Sequence, residues 1–206
     1  MGTHLAEVRA GEAAGHLELV GIWSHLAEAS DDEDDEAQTL FLDAVRVAEQ
    51  SGATPEALHL TASAASWWRP ELRGSVSRIG AFCYGVRSAD GPDLAGVAPV
   101  AELTATVVDI VDGDAVVGIG AFDGIPSTLA GARVGTLAGA RELLRIDAVT
   151  SVVEGWPGMR IGDSVWMFGA GDHGESSATT LAERIDTVGE EILTRLTARI
   201  RRVSTP

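Results

Sequence analysis

Lysine is absent from this 206-residue chain: all 15 basic residues are arginine. A protein without lysine has no side chain that can form an internal Schiff base with an aldehyde cofactor. Cysteine is almost absent as well. Cys83 stands alone, which excludes an internal disulfide and a multi-cysteine zinc site and fits a reducing compartment. Positive charge is scarce, with 15 basic residues against 31 acidic ones and a net charge of −16. That balance argues against nucleic-acid and anionic-membrane partners, which both require clustered cations. No apolar run reaches the roughly 18 residues of a membrane span. The opening stretch MGTHLAEVRAGEAAGHLE carries charge throughout, unlike a signal peptide. A phosphate-binding glycine loop of the nucleotide type and a nucleophile elbow are both missing. The expectation is a soluble cytoplasmic chain, long enough for one ordinary domain or two small ones, with enough apolar residues (45%) for a packed core.

What is present falls into two textures. LELVGIWS (Leu17 to Ser24) is a mostly apolar run that reads as a buried strand delivering Ser24 and His25 at its C-terminal end. The acidic run DDEDDE (Asp31 to Glu36) follows. Ala37 to Gln50 then sets Leu40, Phe41, Ala44, Val45 and Ala48 at helical spacing, with the carboxylates at the positive end of the helix. Ala57 to Leu60 predicts a second strand, running into Thr61, Ala62 and Ser63, and Val76 to Tyr84 predicts a third. Strands alternating with helices predict a parallel α/β arrangement over residues 1–97. Beyond it, Val107 to Val111, Ala115 to Ile119, Val149 to Val153 and Val165 to Phe168 are short strand candidates separated by Gly, Asp and Pro. They predict a β-rich domain over 98–206, after a linker at Ser88 to Pro99. Thr180 to Glu183 and Thr187 to Glu190 have capping-box spacing, the second opening a final helix.

Three parallel strands make an incomplete sheet. Such strands sit in sheets of five or more or close into an eight-stranded barrel, so a three-strand piece exposes apolar edges or recruits a partner. The residues that surround these strands carry a resemblance. LELVGIWSHLAEAS (Leu17 to Ser30) looks like a barrel strand ending in T-H-F-A. HLTASAA (His59 to Ala65) looks like H-x-A-N-S-A-A, and SRIGAFCYGV (Ser77 to Val86) like V-R-x-G-I-x-x-Y-G. VGIGAFDGIPSTLAG (Val117 to Gly131) is similar to P-I-G-Y-A-D-G-x-P-R-x-L, and GMRIGDSVWMFGAG (Gly158 to Gly171) to V-x-V-G-D-x-V-x-L-F-G. ERIDTVGEEILTRLTARIRRV (Glu183 to Val203) parallels a segment containing T-I-N-Y-E-V-L-T-R-I. Six strings in one order resemble the C-terminal part of the alanine racemases, which bind pyridoxal phosphate. The resemblance implies the last three βα units of a TIM-like barrel, followed by that family's C-terminal β domain.

It also implies site residues. His25 would pack on the pyridine ring, or else be a strand-end histidine satisfied by a loop carbonyl. Arg78 would donate to the pyridine nitrogen, and a guanidinium, always charged, keeps that nitrogen unprotonated. Ser63, Gly80 and Ala81 match phosphate-handling positions, where small residues and free N–H groups suit an oxyanion. Ser63 suits a satisfied turn equally well, and Gly80 a close-packing position. Departures matter as much. The family's asparagine before the serine is Ala62, the tyrosine of Y-A-D-G is Ala121, and that of I-N-Y-E is Glu190. The segment with the tyrosine base is missing, and Tyr84, the single tyrosine, matches a structural position instead. Two-base racemisation needs a proton carrier on each face of the carbanion, and neither the lysine nor the tyrosine is present.

The expectation is therefore a chain inactive alone. It is read as a subunit of a split pyridoxal-phosphate enzyme acting on a small amino acid, sharing the cofactor with a partner. That partner carries the N-terminal half of the barrel and the Schiff-base lysine, or is a full-length homologue. The other reading is a non-catalytic, racemase-derived module that stabilises or regulates a homologous partner. Whether Glu190 has taken over a proton-transfer role is left open. DDEDDE, uninterrupted by glycine, reads as a solvated helix start rather than a hard-cation loop. Asp172, His173 and Glu175 read as a loop rather than a metal site. Trp67 and Trp68 fit either a partner anchor or barrel-bottom packing.

Overall fold

A computed structural model describes residues 2–27, 30–88 and 91–204. The chain divides into two compact units, one reaching to Gly80 and the other starting at Ala81. Among the described residues no helix is long and apolar enough to cross a membrane.

The first unit runs α1 (Gly2–Ala13), β1 (Gly21–Trp23), α2 (Asp31–Gln50), β2 (Ala57–His59), α3 (Ser63–Trp68) and a 3-10 turn (Pro70–Leu72). β1 and β2 pair in parallel, with Gly21 opposite Ala57 and Trp23 opposite His59. Gly21 is required by close approach, since a Cβ there would lie 2.4 Å from the carbonyl oxygen of Ala57. Because side chains alternate along a strand, one face of the pair presents Ile22, Leu58 and, just past β2, Leu60. These pack with Leu26, Phe41, Val45, Ala65 and Leu72 into the unit's core. The other face carries Gly21, Trp23 and His59.

The acidic run forms the first turns of α2 rather than a loop before it. Ser30 caps the helix, its Oγ accepting from the Glu33 N–H at 3.2 Å and its hydroxyl donating to the Glu33 carboxylate at 3.0 Å. Four carboxylates in the first turn then sit at the favourable end of the helix dipole. Arg69, at the end of α3, reaches back to Asp31 at 3.0 Å and Asp35 at 2.5 Å and also pairs with Glu71. Hydrogen bonds donated to the Glu71 and Asp35 carboxylates raise the Arg69 pKa, and Arg69 in turn holds the Glu71 carboxyl below its usual range.

The third predicted strand, Val76 to Tyr84, is not one. Segment 75–78 runs beside β2, with Val76 N–H donating to Leu58 O at 3.1 Å and Arg78 N–H to Thr61 O at 3.1 Å. The Leu58 N–H, however, is taken at 2.9 Å by the Ser75 hydroxyl instead of a backbone carbonyl. A side chain thus stands in for the ladder where the segment begins, single backbone bonds follow at Val76 and Arg78, and Ala81–Tyr84 then turns into a 3-10 helix.

The second unit is a six-stranded antiparallel sheet in the order β5-β6-β7-β4-β3-β8. Its strands are β3 (Leu103–Val111), β4 (Asp114–Val117), β5 (Arg133–Val134), β6 (Arg141–Ile146), β7 (Ser151–Val153) and β8 (Ser164–Phe168). Gly135, next to β5, exchanges both backbone bonds with Trp166 of β8, at 2.8 and 2.9 Å, so the two ends of the sheet meet. Closure removes the open edges that any free sheet carries. Val107, Ala115, Val117, Val134, Val153 and Val165 fill the interior with no exposed surface. β5 and β6 were not expected from sequence, where the charges of RELLRI mask the inward Leu143 and Ile146.

The composition changes past residue 97, whereas the units divide at 80/81. Within the second unit, Arg87 explains why the intervening segment belongs there. Its N–H reaches the Thr179 hydroxyl at 3.2 Å, and its guanidinium pairs with Glu183 at 2.7 Å. Two helices, α4 (Ala178–Arg184) and α5 (Gly189–Thr194), complete the unit. Neither predicted capping box forms. Ser177 caps α4, accepting from Thr180 N–H at 3.1 Å. Val188 precedes α5 without a side-chain cap, and the Thr187 hydroxyl donates to Glu191 instead of capping.

Candidate functional site

The first unit gathers its polar groups where β1 and β2 end. His25 lies two residues beyond β1, His59 closes β2, Ser63 opens α3, and Arg78 sits on the segment beside β2. The half-buried Arg78 guanidinium is the centre of the group. One terminal nitrogen donates to His59 Nδ1 at 3.0 Å and His59 O at 3.1 Å. The other donates to His25 Nδ1 at 2.9 Å and Leu60 O at 3.3 Å. A guanidinium has five N–H donors and no acceptor. Four are thus committed, and the Nε–H has no acceptor among the described residues.

Two consequences follow. A guanidinium only donates, so Nδ1 is the nitrogen that each imidazole turns to Arg78 as acceptor. Arg78, in turn, is held in the plane of its own hydrogen bonds. Its Cζ also lies 5.5 Å from the centre of the Trp23 ring, within cation–π range. The Trp23 ring is stacked on His59, with centroids 6.2 Å apart and planes 15° apart.

Below Arg78, the buried Ser63 Oγ accepts from the Gly80 N–H at 3.0 Å, which leaves the Ser63 O–H free to donate elsewhere. A Cβ placed on Gly80 would meet nothing within 4 Å, so this backbone borders open space. Behind Ser63, buried hydroxyls form a chain in which Ser66 donates to Thr61 Oγ1 at 2.7 Å and Thr61 and Ser77 lie 3.2 Å apart. Arg73 donates to Ser66 O from beyond. Ala62 precedes α3 as an N-cap without a side-chain bond, the local result of having alanine where asparagine would cap.

The structure thus brings His25, Ser63, Arg78 and Gly80 into one cluster. Ala81 opens the 3-10 turn of the second unit. His59 was missed as a site residue by sequence reasoning. Its signal was available in the pairing of β1 with β2, which puts the ends of both strands next to the same arginine. In the second unit Ala121 begins a 3-10 turn whose buried Asp123 accepts from Gly120 N–H at 2.9 Å and Arg199 Nε at 2.8 Å. Glu190 is exposed in the first turn of α5. Glu175 is buried and spends its carboxylate on the amides of Gly171 and His173, at 2.8 and 3.0 Å. Among the described residues no three His, Cys, Asp or Glu side chains come together as a metal site.

Comparison with known proteins matches both halves. Residues 3–88 match the alanine racemase N-terminal domain and residues 112–204 the alanine racemase C-terminal domain. The alanine racemase of Thermobifida fusca is 32% identical over 226 aligned residues, covering 97% of this chain and 60% of its own length. That of Beutenbergia cavernae is also 32% identical, covering 96% and 60%. Among solved structures, the alanine racemase of Streptomyces coelicolor superposes with a TM-score of 0.87 at 26% identity, over 98% of this chain and 60% of that one. That of Corynebacterium glutamicum gives 0.80 at 29% identity, over 91% and 56%. The chain spans about three fifths of the relatives it matches.

Proposed function

The chain belongs to the alanine racemase family, and from that premise we propose that it is one subunit of a split pyridoxal-phosphate enzyme acting on an amino acid. A lysine-bearing polypeptide supplies the remaining barrel strands and the amine that this sequence lacks. The observation that carries the reading is Arg78, with four donors committed to protein acceptors and the fifth unspent. The residues present fit the cofactor. A flat ring with one nitrogen acceptor suits the Nε–H, and a phosphate suits the spare Ser63 hydroxyl beside the open backbone at Gly80.

Pyridoxal phosphate, when bound, supplies an electron sink for charge developing beside an amino group. The chain's own residues set how far that sink is used. Arg78 would hold a fixed positive charge beside the ring nitrogen of a bound cofactor and disfavour its protonation. His25 and His59 orient the guanidinium by accepting from it, and the Ser63 hydroxyl would donate to the phosphate of a bound cofactor. Proton exchange on the substrate falls to the partner's lysine. With Ala121 and Glu190 at the tyrosine positions and no second base, the chemistry is expected to differ from two-base alanine racemisation.

Co-expression with a candidate lysine-bearing partner, followed by purification and a visible spectrum, tests this. A complex that retains the cofactor, with Arg78→Ala weakening retention about tenfold or more (1.4 kcal/mol per decade), supports the reading. A stable but colourless complex would favour a second reading, a non-catalytic module that stabilises or regulates a homologous partner. The losses at Ala62, Ala121 and Glu190 speak for that alternative. Failure to form any complex would sink both.

A further inference from the structure

We propose that Trp23 is a positioning residue of the cofactor site, acting through His59 and Arg78. The inference rests on the reading of Arg78 as the cofactor's ring-nitrogen partner and adds what aims it.

The four acceptors around Arg78 restrain the guanidinium within its plane. They restrain it far less against tilting out of that plane, and the tilt decides where the Nε–H points. One acceptor is itself movable, because His59 presents Nδ1 only while its ring keeps one orientation about the Cβ–Cγ bond. Trp23 acts on both freedoms. Its ring lies 15° from parallel with the His59 imidazole, which resists that rotation, and the guanidinium carbon sits 5.5 Å from its centre, which resists tilt.

Position in the fold supports the same conclusion. Trp23 faces away from the core side of the sheet, on the face it shares with His59 across the β1–β2 pair. It is 66% exposed, so core packing does not account for a large aromatic residue at this position. The contacts its ring makes with His59 and Arg78 do.

The test is ¹⁵N NMR of the full chain, or of its complex with the partner, on wild type, Trp23→Leu and Trp23→Phe. Leucine keeps apolar bulk and β-strand compatibility without an aromatic face, and phenylalanine restores the face. In the wild type the Arg78 terminal N–H signals should be resolved and slowly exchanging, and His59 Nδ1 should show the shift of an accepting nitrogen. Trp23→Leu should average the Arg78 signals and move His59 Nδ1, with thermal stability little changed, and Trp23→Phe should restore both. A tryptophan with a merely structural role would lower stability without moving these signals, and unchanged signals in Trp23→Leu would overturn the proposal.

Titration with pyridoxine 5′-phosphate, which lacks the aldehyde and binds without forming an imine, separates the two readings. The wild-type Arg78 Nε resonance should shift on binding, with affinity about fivefold weaker in Trp23→Leu. Equal affinities overturn the role of Trp23 and leave the cofactor reading intact. No Arg78 Nε shift in the wild type overturns the cofactor reading, whatever Trp23 does to the free protein.

Discussion

Each unit stacks a tryptophan on a histidine, and the two pairs sit in opposite circumstances. Trp166 lies within the β8 end of a closed sheet. Its backbone exchanges two hydrogen bonds with Gly135, its ring meets His173 with centroids 3.6 Å apart, and the His173 N–H is tied to Glu175. Trp23 lies on an outer edge. The bonds from Ala57 N–H to Val20 O and from Ser24 N–H to His59 O show that the even-numbered residues of β1 face β2. The backbone groups of Gly21 and Trp23 therefore face away from it.

The difference comes from sheet type. Antiparallel neighbours are joined by tight local turns. The β3–β4 hairpin turns on Asp112 and Gly113, with φ of 54° and 94°, the paired positive angles of a type I′ turn. Short connections join β3 to β4, β5 to β6 and β6 to β7, and the longer-range pairings of β4 with β7, β3 with β8 and Gly135 with Trp166 close the sheet. Parallel strands need crossovers and neighbours from elsewhere, and among the described residues β1 pairs with β2 alone, while β2 has only the single bonds from segment 75–78 on its other side. The second unit completes its own hydrogen bonding, and the first leaves an edge for another strand to complete.

The largest test of this contrast is amide hydrogen exchange on the chain alone. The Trp166 amide should exchange on the order of a thousandfold more slowly than that of Trp23, as a bonded core amide compares with a free edge. Comparable rates would break the comparison. Slowing of the Trp23 amide on adding a lysine-bearing partner would sharpen it. Next in size are two leucine truncations read by denaturant midpoint. Leu143, 2% exposed in the closed sheet, should cost about 3 kcal/mol on replacement by alanine. Leu17, 46% exposed in the first unit, should cost less than about 1 kcal/mol.

How much of this was legible in the sequence follows the same line. Val107 to Val111, Ala115 to Ile119 and Val165 to Phe168 were legible as strands because they are short apolar, valine-rich runs bounded by Gly, Asp and Pro, whereas the alternating half of β3, with Leu103, Ala105 and Val107 buried, lies mostly before the stretch expected from sequence. β5 and β6 escaped because their arginines and glutamate cover short inward stretches. Val76 to Tyr84 was read as a strand from its apolar content, but only Val76 and Arg78 donate backbone bonds to the β2 segment and Ala81 to Tyr84 coils into a 3-10 helix, a difference that apolar content does not encode. In the candidate site, Arg78, His25, Ser63 and Gly80 were picked out through the resemblance, and the structure brings them together. His59 was not, because its role depends on which strand lies next to which. One cap was misplaced by similar competition: Ser177 captured the Thr180 N–H at the start of a helix that Thr180 was expected to cap.

The smallest expected effect also compares the two units. Each holds a carboxylate below its ordinary range. In the first, Glu12 is lowered chiefly by accepting from the Leu19 N–H, with Arg9 adding to it. In the second, Glu191 is lowered by the Thr187 hydroxyl and then by Arg195, whose guanidinium lies 2.6 Å away. A folded-state pKa below the unfolded value means that the unfolded chain binds more protons in the acid range. Each group therefore contributes stability that is fully present above its unfolded value of 4.5 and is lost as pH falls through its folded value. Both lie near the surface, where solvent screens such bonds, so the effect is modest. Thermal unfolding followed from pH 7 to pH 3 should show Glu191→Gln slightly less stable than wild type above pH 5, with the difference vanishing in acid. A gap that widened in acid would mean that Glu191 is paired in the unfolded chain rather than in α5. Glu12→Gln should follow the same curve if the first unit unfolds together with the second, and should leave the main transition unmoved if it opens first. The acid limb thus reports whether the closed sheet and the open pair share one cooperative transition.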